Sequence, residues 1–392
     1  MLPISARVLA ALPQAIGRPY RADWSNDGGQ TWTPCTVVAG SASVTADRTA
    51  EVRYSAGAEL TGVPAGRHGI NSISTNVRLW QGVQLPRTDP VWFPAGRYTV
   101  GRASLTGFTS TGAGVISVEL DGLEDELRAA TFPTARTVGP GTARELVETL
   151  VAEALPGIPV AWRSGIQPDT VIPQIAATED RWAVLSGGRD STGTGTGIAA
   201  ALAGEMWVDA RGVVTVGPVP TLDDPVVWSI ARGEGGALVE PAAEQTSEGL
   251  ANVWSVSGDG GDGSPVVGPA YAWDDDPNSL TYAGPDPVND PLAPQRMGLL
   301  GVRLRVQRVS SALVTTFNQA SDMAKANLAD SLGIQASLSL TAVCNPAMEP
   351  GDLVRVETEP GMWEPHIIDS FSYTLGAPSM SCSTRTTTRR LS

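Results

Sequence analysis

The sequence contains few of the residues from which metal sites and disulfide frameworks are built. Its three cysteines, Cys35, Cys344 and Cys382, lie far apart and form no CxxC pair, and its two histidines are His68 and His366. Neither a zinc site nor a disulfide scaffold is therefore predicted, and assembly in a reducing cytosol fits best. Because neither histidine lies in a GxSxG or HExxH motif, we expect both to be structural, and we predict no cofactor.

Long hydrophobic runs and positive charges are also scarce. No window approaches the roughly 18 consecutive apolar residues that a membrane helix needs. The apolar segment 1–17 lacks a basic n-region and is interrupted by Arg7, so we do not interpret it as a secretion signal, and we expect no membrane insertion. With 27 basic and 41 acidic residues the net charge is -14. Such a surface repels phosphate, which argues against stable binding of nucleic acid.

The residues that are abundant indicate strands and turns. The 392 residues suggest two or three domains, and the 43 glycines and 30 prolines exceed average usage and favour many short strands. We predict a mainly β protein with an α/β insertion, in which two β-barrel-like domains flank a small helical segment. The predicted divisions are an N-terminal β domain with a short N-terminal helix (1–120), the insertion (121–222) and a second β domain (223–392) with a long acidic loop (258–298) and one helix (315–333).

The insertion carries the clearest local signals. Thr142 and Glu145 have the spacing of a capping box before an apolar stripe of helical period, and Pro156 ends that pattern. A second, shorter helix is predicted over 198–205. A hairpin that turns between Asp209 and Gly212 follows it.

The second β domain is predicted from alternating residues. In the segment 301–309, Val302, Leu304 and Val306 share one face, which predicts a half-buried strand. The four apolar segments after residue 335 are interpreted as an antiparallel meander. Arg385, Arg389 and Arg390 concentrate positive charge at the C-terminus. Such a tail either docks on an acidic neighbour or is solvated, and we expect it to be solvated.

One short motif is specific. Residues 25–32 (SNDGGQTW) match the Asp-box of sialidases, in which the carboxylate of Asp27 bonds turn amides, Gly29 allows the turn and Trp32 packs beneath the hairpin. Sialidases usually carry several copies, and this chain has one. We interpret it as an isolated hairpin turn, and keep a sialidase-type glycosidase as an alternative.

Two further features have a functional and a structural interpretation. Asp274, Asp275 and Asp276 are weak candidates for a calcium site, but they lack the glycine and terminal glutamate of an EF-hand, so a solvated acidic loop is the default. The 11 tryptophans outnumber the five phenylalanines, and several lie in the N-terminal third. A glycan platform and a subunit interface both use such rings.

Several segments, taken in their order along the chain, together resemble the tail hub proteins of long-tailed bacteriophages, particularly minor tail proteins of phages that infect actinobacteria. The segments 116–157, 204–220 and 247–258 resemble the family's insertion, its closing hairpin and the re-entry into the second β domain. The Ala-rich helix before CNPAMEPGDLVRVE is similar to the family's helix-strand element. Its turn is shaped by Asn345, Pro346, Pro350, Gly351 and Asp352.

The resemblance implies a structural role without enzymatic activity. Three copies would form a ring with pseudo-sixfold symmetry that joins the tail tube or distal tail protein to the tip, surrounds the end of the tape-measure protein and lets duplex DNA pass in transit. Tip or receptor-binding proteins would be further partners. The location implied is the tail tip of the virion, after assembly in the host cytoplasm. A carbohydrate-binding β protein at the tail tip or cell surface remains the main alternative.

Overall fold

The computed structural model describes residues 1–14, 16–64, 69–106, 114–177, 180–187, 197–233, 235–245, 250–259, 265–279, 281–291, 303–332 and 336–386. The chain is mainly β, with 44% strand and 15% helix, as the sequence predicts. Within these ranges no helix is long and apolar enough to cross a membrane. His68, Arg389 and Arg390 lie outside the described residues.

The described residues form six helices and 23 strands, numbered in chain order. The helices are α1 (Ala6–Ala11), α2 (Glu124–Ala129), α3 (Ala143–Ala154), α4 (Arg181–Leu185), α5 (Ile198–Ala201) and α6 (Phe317–Leu332). The strands up to the end of the insertion are β1 (Tyr20–Ser25), β2 (Thr33–Val37), β3 (Ser43–Asp47), β4 (Tyr54–Thr61), β5 (Asn76–Val83), β6 (Val91–Thr106), β7 (Val115–Gly122), β8 (Arg136–Val138), β9 (Gly141–Thr142), β10 (Val160–Trp162), β11 (Val171–Ile172), β12 (Ile175–Ala177), β13 (Gly204–Val208) and β14 (Val214–Pro218). The remaining strands are β15 (Trp228–Ile230), β16 (Leu238–Gln245), β17 (Val253–Asp259), β18 (Pro265–Trp273), β19 (Val306–Ser311), β20 (Ala336–Val343), β21 (Leu353–Glu359), β22 (Met362–Thr374) and β23 (Ser379–Thr386).

The N-terminal strands close a six-stranded barrel. The order β4-β2-β1-β5-β6-β7 returns to its start because β4 pairs with β2 at one edge and with β7 at the other. Closure leaves no free edge in this ring. Alternate side chains are buried, for example Val77 and Leu79 on β5 and Val118 and Leu120 on β7.

The insertion has its own apolar core, built by α3, α4, α5 and the hairpin of β13 and β14. The predicted capping box is present, with the Glu145 amide donating to Thr142 Oγ1 at 3.3 Å and the Thr142 amide donating to Glu145 Oε2 at 3.1 Å. The predicted hairpin turn is also present, and the Gly212 amide donates to the Asp209 carbonyl at 2.8 Å. Helix α5 is shorter than predicted, because the chain enters β13 at Gly204.

The C-terminal strands form a second sheet in the order β15-β21-β22-β23-β20-β16. The two edge strands, β15 and β16, approach each other at one end. There the amide of Leu238, the first residue of β16, donates to the carbonyl of Ala231, the residue after β15, at 2.8 Å. The predicted simple meander is wrong in one respect, because β20 pairs with β23 and not with its chain neighbour β21. A turn sequence predicts adjacency only where the connection is short, and ten chain positions separate β20 from β21.

A ladder between the two β regions joins them into one 13-stranded sheet. The second half of β22 pairs with β3, from Ser370 opposite Asp47 to Thr374 opposite Ser43. The division at residues 120 and 222 stays a prediction. The β3-β22 ladder nevertheless gives the segments 1–120 and 223–392 a shared set of backbone hydrogen bonds.

The acidic segment 258–298 is more regular than predicted. It contains β18, which pairs with β17, and β17 also pairs with β19 in a sheet that packs against α6. In β18, Ala270 and Ala272 are buried and Val266 is exposed. The glycines and prolines of the segment interrupt this alternation of buried and exposed residues in the sequence, so the strand was not predicted. The strand predicted over 301–309 begins only at Val306. The Val306 side chain is 41% exposed, so the prediction that it lies on the buried face of the strand is wrong. Val302 lies outside the described residues.

Candidate functional site

Two arginines on the connection between β3 and β4 point into the interior. The side chain of Asp47 accepts a hydrogen bond from the Thr49 amide at 2.7 Å, and the Asp47 amide donates to the Arg53 carbonyl at 2.8 Å, which closes a tight turn. Arg48 is 2% exposed and Arg53 is 4% exposed. Guanidinium groups buried this deeply require acidic partners.

The first partner comes from the insertion. Glu205 on β13 accepts from Arg48 Nε at 2.8 Å and from Arg53 Nη2 at 3.1 Å, so that each carboxylate oxygen bonds one arginine. The Arg53 guanidinium also stacks 4.4 Å from the ring centre of Trp207 on the same strand. Glu205 therefore fastens the insertion to the barrel at its β3-β4 turn.

The same cluster extends into the second β region. Asp330 on α6 accepts from Arg48 Nη1 at 2.8 Å and pairs with Arg385 Nη1 at 2.7 Å. Asp369 on β22 lies 3.2 Å from Arg385 Nε. We call these six residues the ionic junction, and its members are Arg48, Arg53, Glu205, Asp330, Asp369 and Arg385. Arg385 is 4% exposed, so the prediction that it belongs to a solvated tail is wrong.

The charges of the ionic junction balance, with three arginines and three carboxylates. Burial disfavours the charged form of Arg48, but Asp330, Glu205 and Asp369 outweigh it and raise the pKa of Arg48 above its ordinary value. Burial raises the pKa of Asp369, although Arg385 and Arg48 oppose the rise. Removing one member leaves an opposite charge buried without its partner, which costs about 3–5 kcal/mol in comparable cases.

A small cavity adjoins the junction. Its volume is about 70 Å³, and Arg48, Arg53, Glu124 and Trp207 are among its lining residues. Glu124 is fully buried and accepts a hydrogen bond from the Val208 amide at 2.9 Å. Burial raises the pKa of Glu124 to about 7, against the opposing effects of that amide and of Arg53. The cavity suits a few water molecules, and it is far smaller than the pockets of about 300–1,000 Å³ that hold small-molecule ligands.

A second cluster lies on the outer surface of the barrel. In β5, Arg78 and Trp80 share a face, and the register places Arg21 of β1 opposite Trp80. The Arg21 guanidinium lies 4.9 Å from the Trp80 ring centre and 4.7 Å from that of Trp92. Arg78 lies 4.3 Å from Trp32 and 5.4 Å from Trp80, and Arg97 lies 5.5 Å from Trp32. We call this stack the Arg-Trp ladder, in the order Trp92, Arg21, Trp80, Arg78, Trp32, Arg97.

The Asp-box positions one end of the ladder. Asp27 Oδ1 accepts from the amides of Gln30 and Thr31, both at 2.9 Å, and hydrogen bonds from Ser25 and Thr31 hold the pKa of Asp27 below its usual range. Gly29 has φ +84, and a Cβ there would lie 3.0 Å from Arg97 Cζ. The motif is thus a turn that presents the Trp32 ring to the guanidinium groups of Arg78 and Arg97.

The turn predicted from Asn345 to Asp352 is buried against the N-terminal segment. Asn345 Oδ1 accepts from the Ala347 amide at 3.1 Å, and Asp352 Oδ2 accepts from the Glu349 amide at 2.7 Å. Gly351 has φ +93 and donates to the Ile368 carbonyl at 2.7 Å. Pro346 and Pro350 are buried in the same turn. These residues therefore shape the backbone between β20 and β21.

The remaining predicted sites have local structural roles. Asp274 is 4% exposed, and its Oδ2 accepts from Thr281 Oγ1 at 2.6 Å. Asp276 caps the Asn278 amide at 2.9 Å, while Asp275 is exposed. Within the described part of the chain, no three His, Cys, Asp or Glu side chains cluster as metal ligands would. The calcium site therefore gains no support from the fold.

His366 is part of the second sheet. Its Nδ1 lies 2.9 Å from Thr384 Oγ1, and burial lowers its pKa although Glu364 opposes the shift. The Asp-box and the 345–352 turn are predictable from the sequence, but the ionic junction is not. No local spacing could reveal it, because Arg48 and Glu205 lie 157 positions apart.

Solved structures share this fold along nearly the whole chain. The tail protein from Neisseria meningitidis MC58 superposes with a TM-score of 0.60 at 13% identity, over 94% of this chain and 96% of that chain. The 43 kDa tail protein of prophage MuSo2 from Shewanella oneidensis has a TM-score of 0.54 at 14% identity, over 94% and 98%. Prophage tail protein gp18 from Listeria monocytogenes EGD-e has a TM-score of 0.50 at 11% identity, over 93% and 94%. No protein-family model and no curated protein sequence matches the chain.

Proposed function

We propose that the chain is a structural hub subunit of a phage tail tip. The observation that carries the proposal is the fold match to phage tail proteins, which covers 94% of this chain and 96% of the Neisseria protein. A match of this extent includes the barrel, the insertion and the second sheet together. It therefore concerns the arrangement of the whole chain and not one common module.

The proposed assembly is a homotrimer. Each copy would contribute its two β regions to a ring with pseudo-sixfold symmetry around the tail axis. The distal tail protein or tail tube protein would bind one side of the ring, the tape-measure protein would end inside it, and tip or receptor-binding proteins would bind the other side. This is the role expected of a tail hub of the actinobacteriophage type, within the virion of a long-tailed phage.

Two properties of the chain support this role. A tail hub must keep its shape, and the ionic junction together with the β3-β22 ladder fastens three segments of the chain to one another. A DNA exit channel must not retain phosphate, and the net charge of -14 disfavours such binding. The proposed role is non-enzymatic and requires no cofactor.

The test is electron microscopy of the purified full chain, with the particle mass measured on the same sample. The expected result is a closed threefold ring whose opening admits duplex DNA. A monomer that remains a monomer when mixed with its tail-tube and distal tail proteins, and that is missing from purified virions, would contradict the proposal.

The glycan-binding and sialidase alternatives predict different observations. A glycan platform predicts a signal on a glycan array that is lost on Trp80→Ala, and a glycosidase predicts turnover of a fluorogenic sialoside. The tail-hub proposal expects neither result, because guanidinium groups cover the ring faces of the ladder and the single Asp-box is a turn.

A further inference from the structure

An Arg-lined cleft separates the barrel from the hairpin of the insertion. Its volume is about 140 Å³, and its lining includes Trp32, Arg78, Arg97 and Arg211. The hairpin glycine Gly212 has φ +80, and a Cβ there would lie 2.6 Å from Arg97 Cδ. Gly29 of the Asp-box and Gly212 of the hairpin thus both lie against the Arg97 side chain. This packing holds the Arg97 side chain between the two segments.

The cleft carries more positive than negative charge. Arg78 pairs with Asp23 at 2.8 Å, and Arg211 Nε pairs with Asp209 at 2.8 Å. Arg97 donates to the Gly28 carbonyl at 2.8 Å and to Asn76 Oδ1 at 3.2 Å, and it has no carboxylate partner among the described residues. Its buried Nε has no hydrogen-bond partner in that part of the chain either.

The pKa of Arg97 is consistent with its lack of a carboxylate partner. Burial and the neighbouring Arg78 lower the pKa of Arg97. A carboxylate placed in the cleft would offset the like charge of Arg78 and so favour the charged form of Arg97. Further along the ladder, Arg21 also lacks an ion-pair partner among the described residues.

Size and surroundings decide which anion fits. A cleft of about 140 Å³ is smaller than the pockets of about 300–1,000 Å³ that hold small-molecule ligands, and it suits a single carboxylate-bearing side chain. The flanking ladder of tryptophans and arginines has the composition of protein interfaces, in which these residues are enriched. A free phosphate ion is too small to contact the tryptophan rings of the ladder, so that surface would not contribute to binding it.

We propose that the cleft and the Arg-Trp ladder form a docking surface for an acidic segment of a protein partner, with one carboxylate of the partner seated beside Arg97. Arg21 and Arg97 give this surface positive charge that no carboxylate of the described residues neutralises, although the chain as a whole has a net charge of -14. That charge selects an acidic segment over a basic one. This inference goes beyond the hub assembly, because it concerns one surface of a single copy.

The experiment uses the full chain and an acetylated hexaglutamate peptide, with hexalysine as the peptide control. Binding is followed by titration calorimetry and by tryptophan fluorescence, since Trp32 lines the cleft. We expect hexaglutamate alone to bind, and we expect Arg97→Gln to weaken that binding by roughly tenfold or more. Arg102→Gln is the matched control on the same strand, because Arg102 is 75% exposed and pairs with Glu119 at 3.7 Å. It should leave binding unchanged.

Four results would overturn the inference. Absence of hexaglutamate binding at millimolar concentration is the first, and an equal loss in Arg102→Gln, which indicates general attraction, is the second. Inorganic phosphate that binds as tightly with the same dependence on Arg97 would assign a small-anion site instead. Self-association that Arg97→Gln abolishes in sedimentation would assign the surface to a second copy of the chain.

Folding of the variants is checked by circular dichroism. If Arg97→Gln does not fold, Arg21→Gln replaces it, because Arg21 stacks between Trp80 and Trp92 in the part of the ladder away from the Asp-box. That variant is expected to weaken hexaglutamate binding severalfold, and unchanged binding would contradict the proposed surface.

Discussion

Glu205 holds Arg48 and Arg53 at once, with one carboxylate oxygen 2.8 Å from Arg48 Nε and the other 3.1 Å from Arg53 Nη2. This contact joins the insertion to the barrel through residues that are all at least nine-tenths buried. Because Arg48 also pairs with Asp330 of α6, the same guanidinium connects three segments of the chain.

Replacing Glu205 by Gln should therefore destabilise the protein strongly. The change leaves Arg48 and Arg53 buried with one negative charge fewer, and we expect a loss of about 3–5 kcal/mol in the free energy of unfolding. Urea denaturation followed by tryptophan fluorescence measures it. Glu119→Gln is the control, because that carboxylate is 70% exposed and its ion pair should contribute less than about 1 kcal/mol. Equal losses in the two variants would contradict the role of the ionic junction.

The carboxyl group of Glu124 should make stability depend on pH near neutrality. Its pKa rises from 4.5 to about 7 in the folded chain, so the folded state binds this proton more tightly than the unfolded state does. Stability from this group is therefore fully present below pH 4.5 and is lost as the pH rises to about 7. At about 1.4 kcal/mol per pKa unit, the loss is about 3 kcal/mol.

The matched variant for that effect is Glu124→Gln, which keeps an acceptor for the Val208 amide and removes the titration. Unfolding free energies of both proteins are measured from about pH 4.5 to about pH 8, an interval that spans both pKa values. We expect the wild type to lose stability relative to the variant over this interval. Parallel profiles would show that Glu124 does not titrate there.

Replacing Gly212 by Ala should separate the insertion hairpin from the barrel. The new Cβ would meet Arg97 Cδ at 2.6 Å, in addition to the strain of φ +80. Gly157→Ala is a matched control, because Gly157 has φ +83 and a Cβ added there would meet nothing within 4 Å. We expect the Gly212 variant to lose about 1–3 kcal/mol more than the control and to expose Trp32 to iodide quenching. Equal losses would indicate backbone strain alone.

The three cysteines should be inert in the folded protein. Burial raises the pKa of Cys35 and of Cys344 to about 12, and it raises the pKa of Cys382 as well. The reactive thiolate is therefore scarce at about pH 8. Iodoacetamide followed by mass spectrometry should find no modified thiol in the native chain and three after denaturation in urea. Rapid native labelling of Cys344 would contradict its burial.

Features that depend on neighbours in the chain are predictable from the sequence. The capping box of Thr142 and Glu145 and the hairpin turn at Asp209 involve contacts over three or four positions, so the residue types alone predict them. The mainly β class follows for a similar reason, since alternation and turn residues are local. The failures at β18 and at Val306 arose where glycine and proline interrupt the alternation or where the buried face depends on the packing of α6.

The sequence by itself determined the element types, the caps and turns, the acidic surface and the shortage of ligand residues, because each depends on composition or on short-range spacing. Only the tertiary structure decided that β22 pairs with β3, that Glu205 meets Arg48 across 157 positions and that arginines cover the tryptophans of the barrel. Such contacts depend on strand register and on closure of the barrel. Many sequences with the same local pattern would place these side chains differently, because a shift of one residue in register turns each side chain to the opposite face.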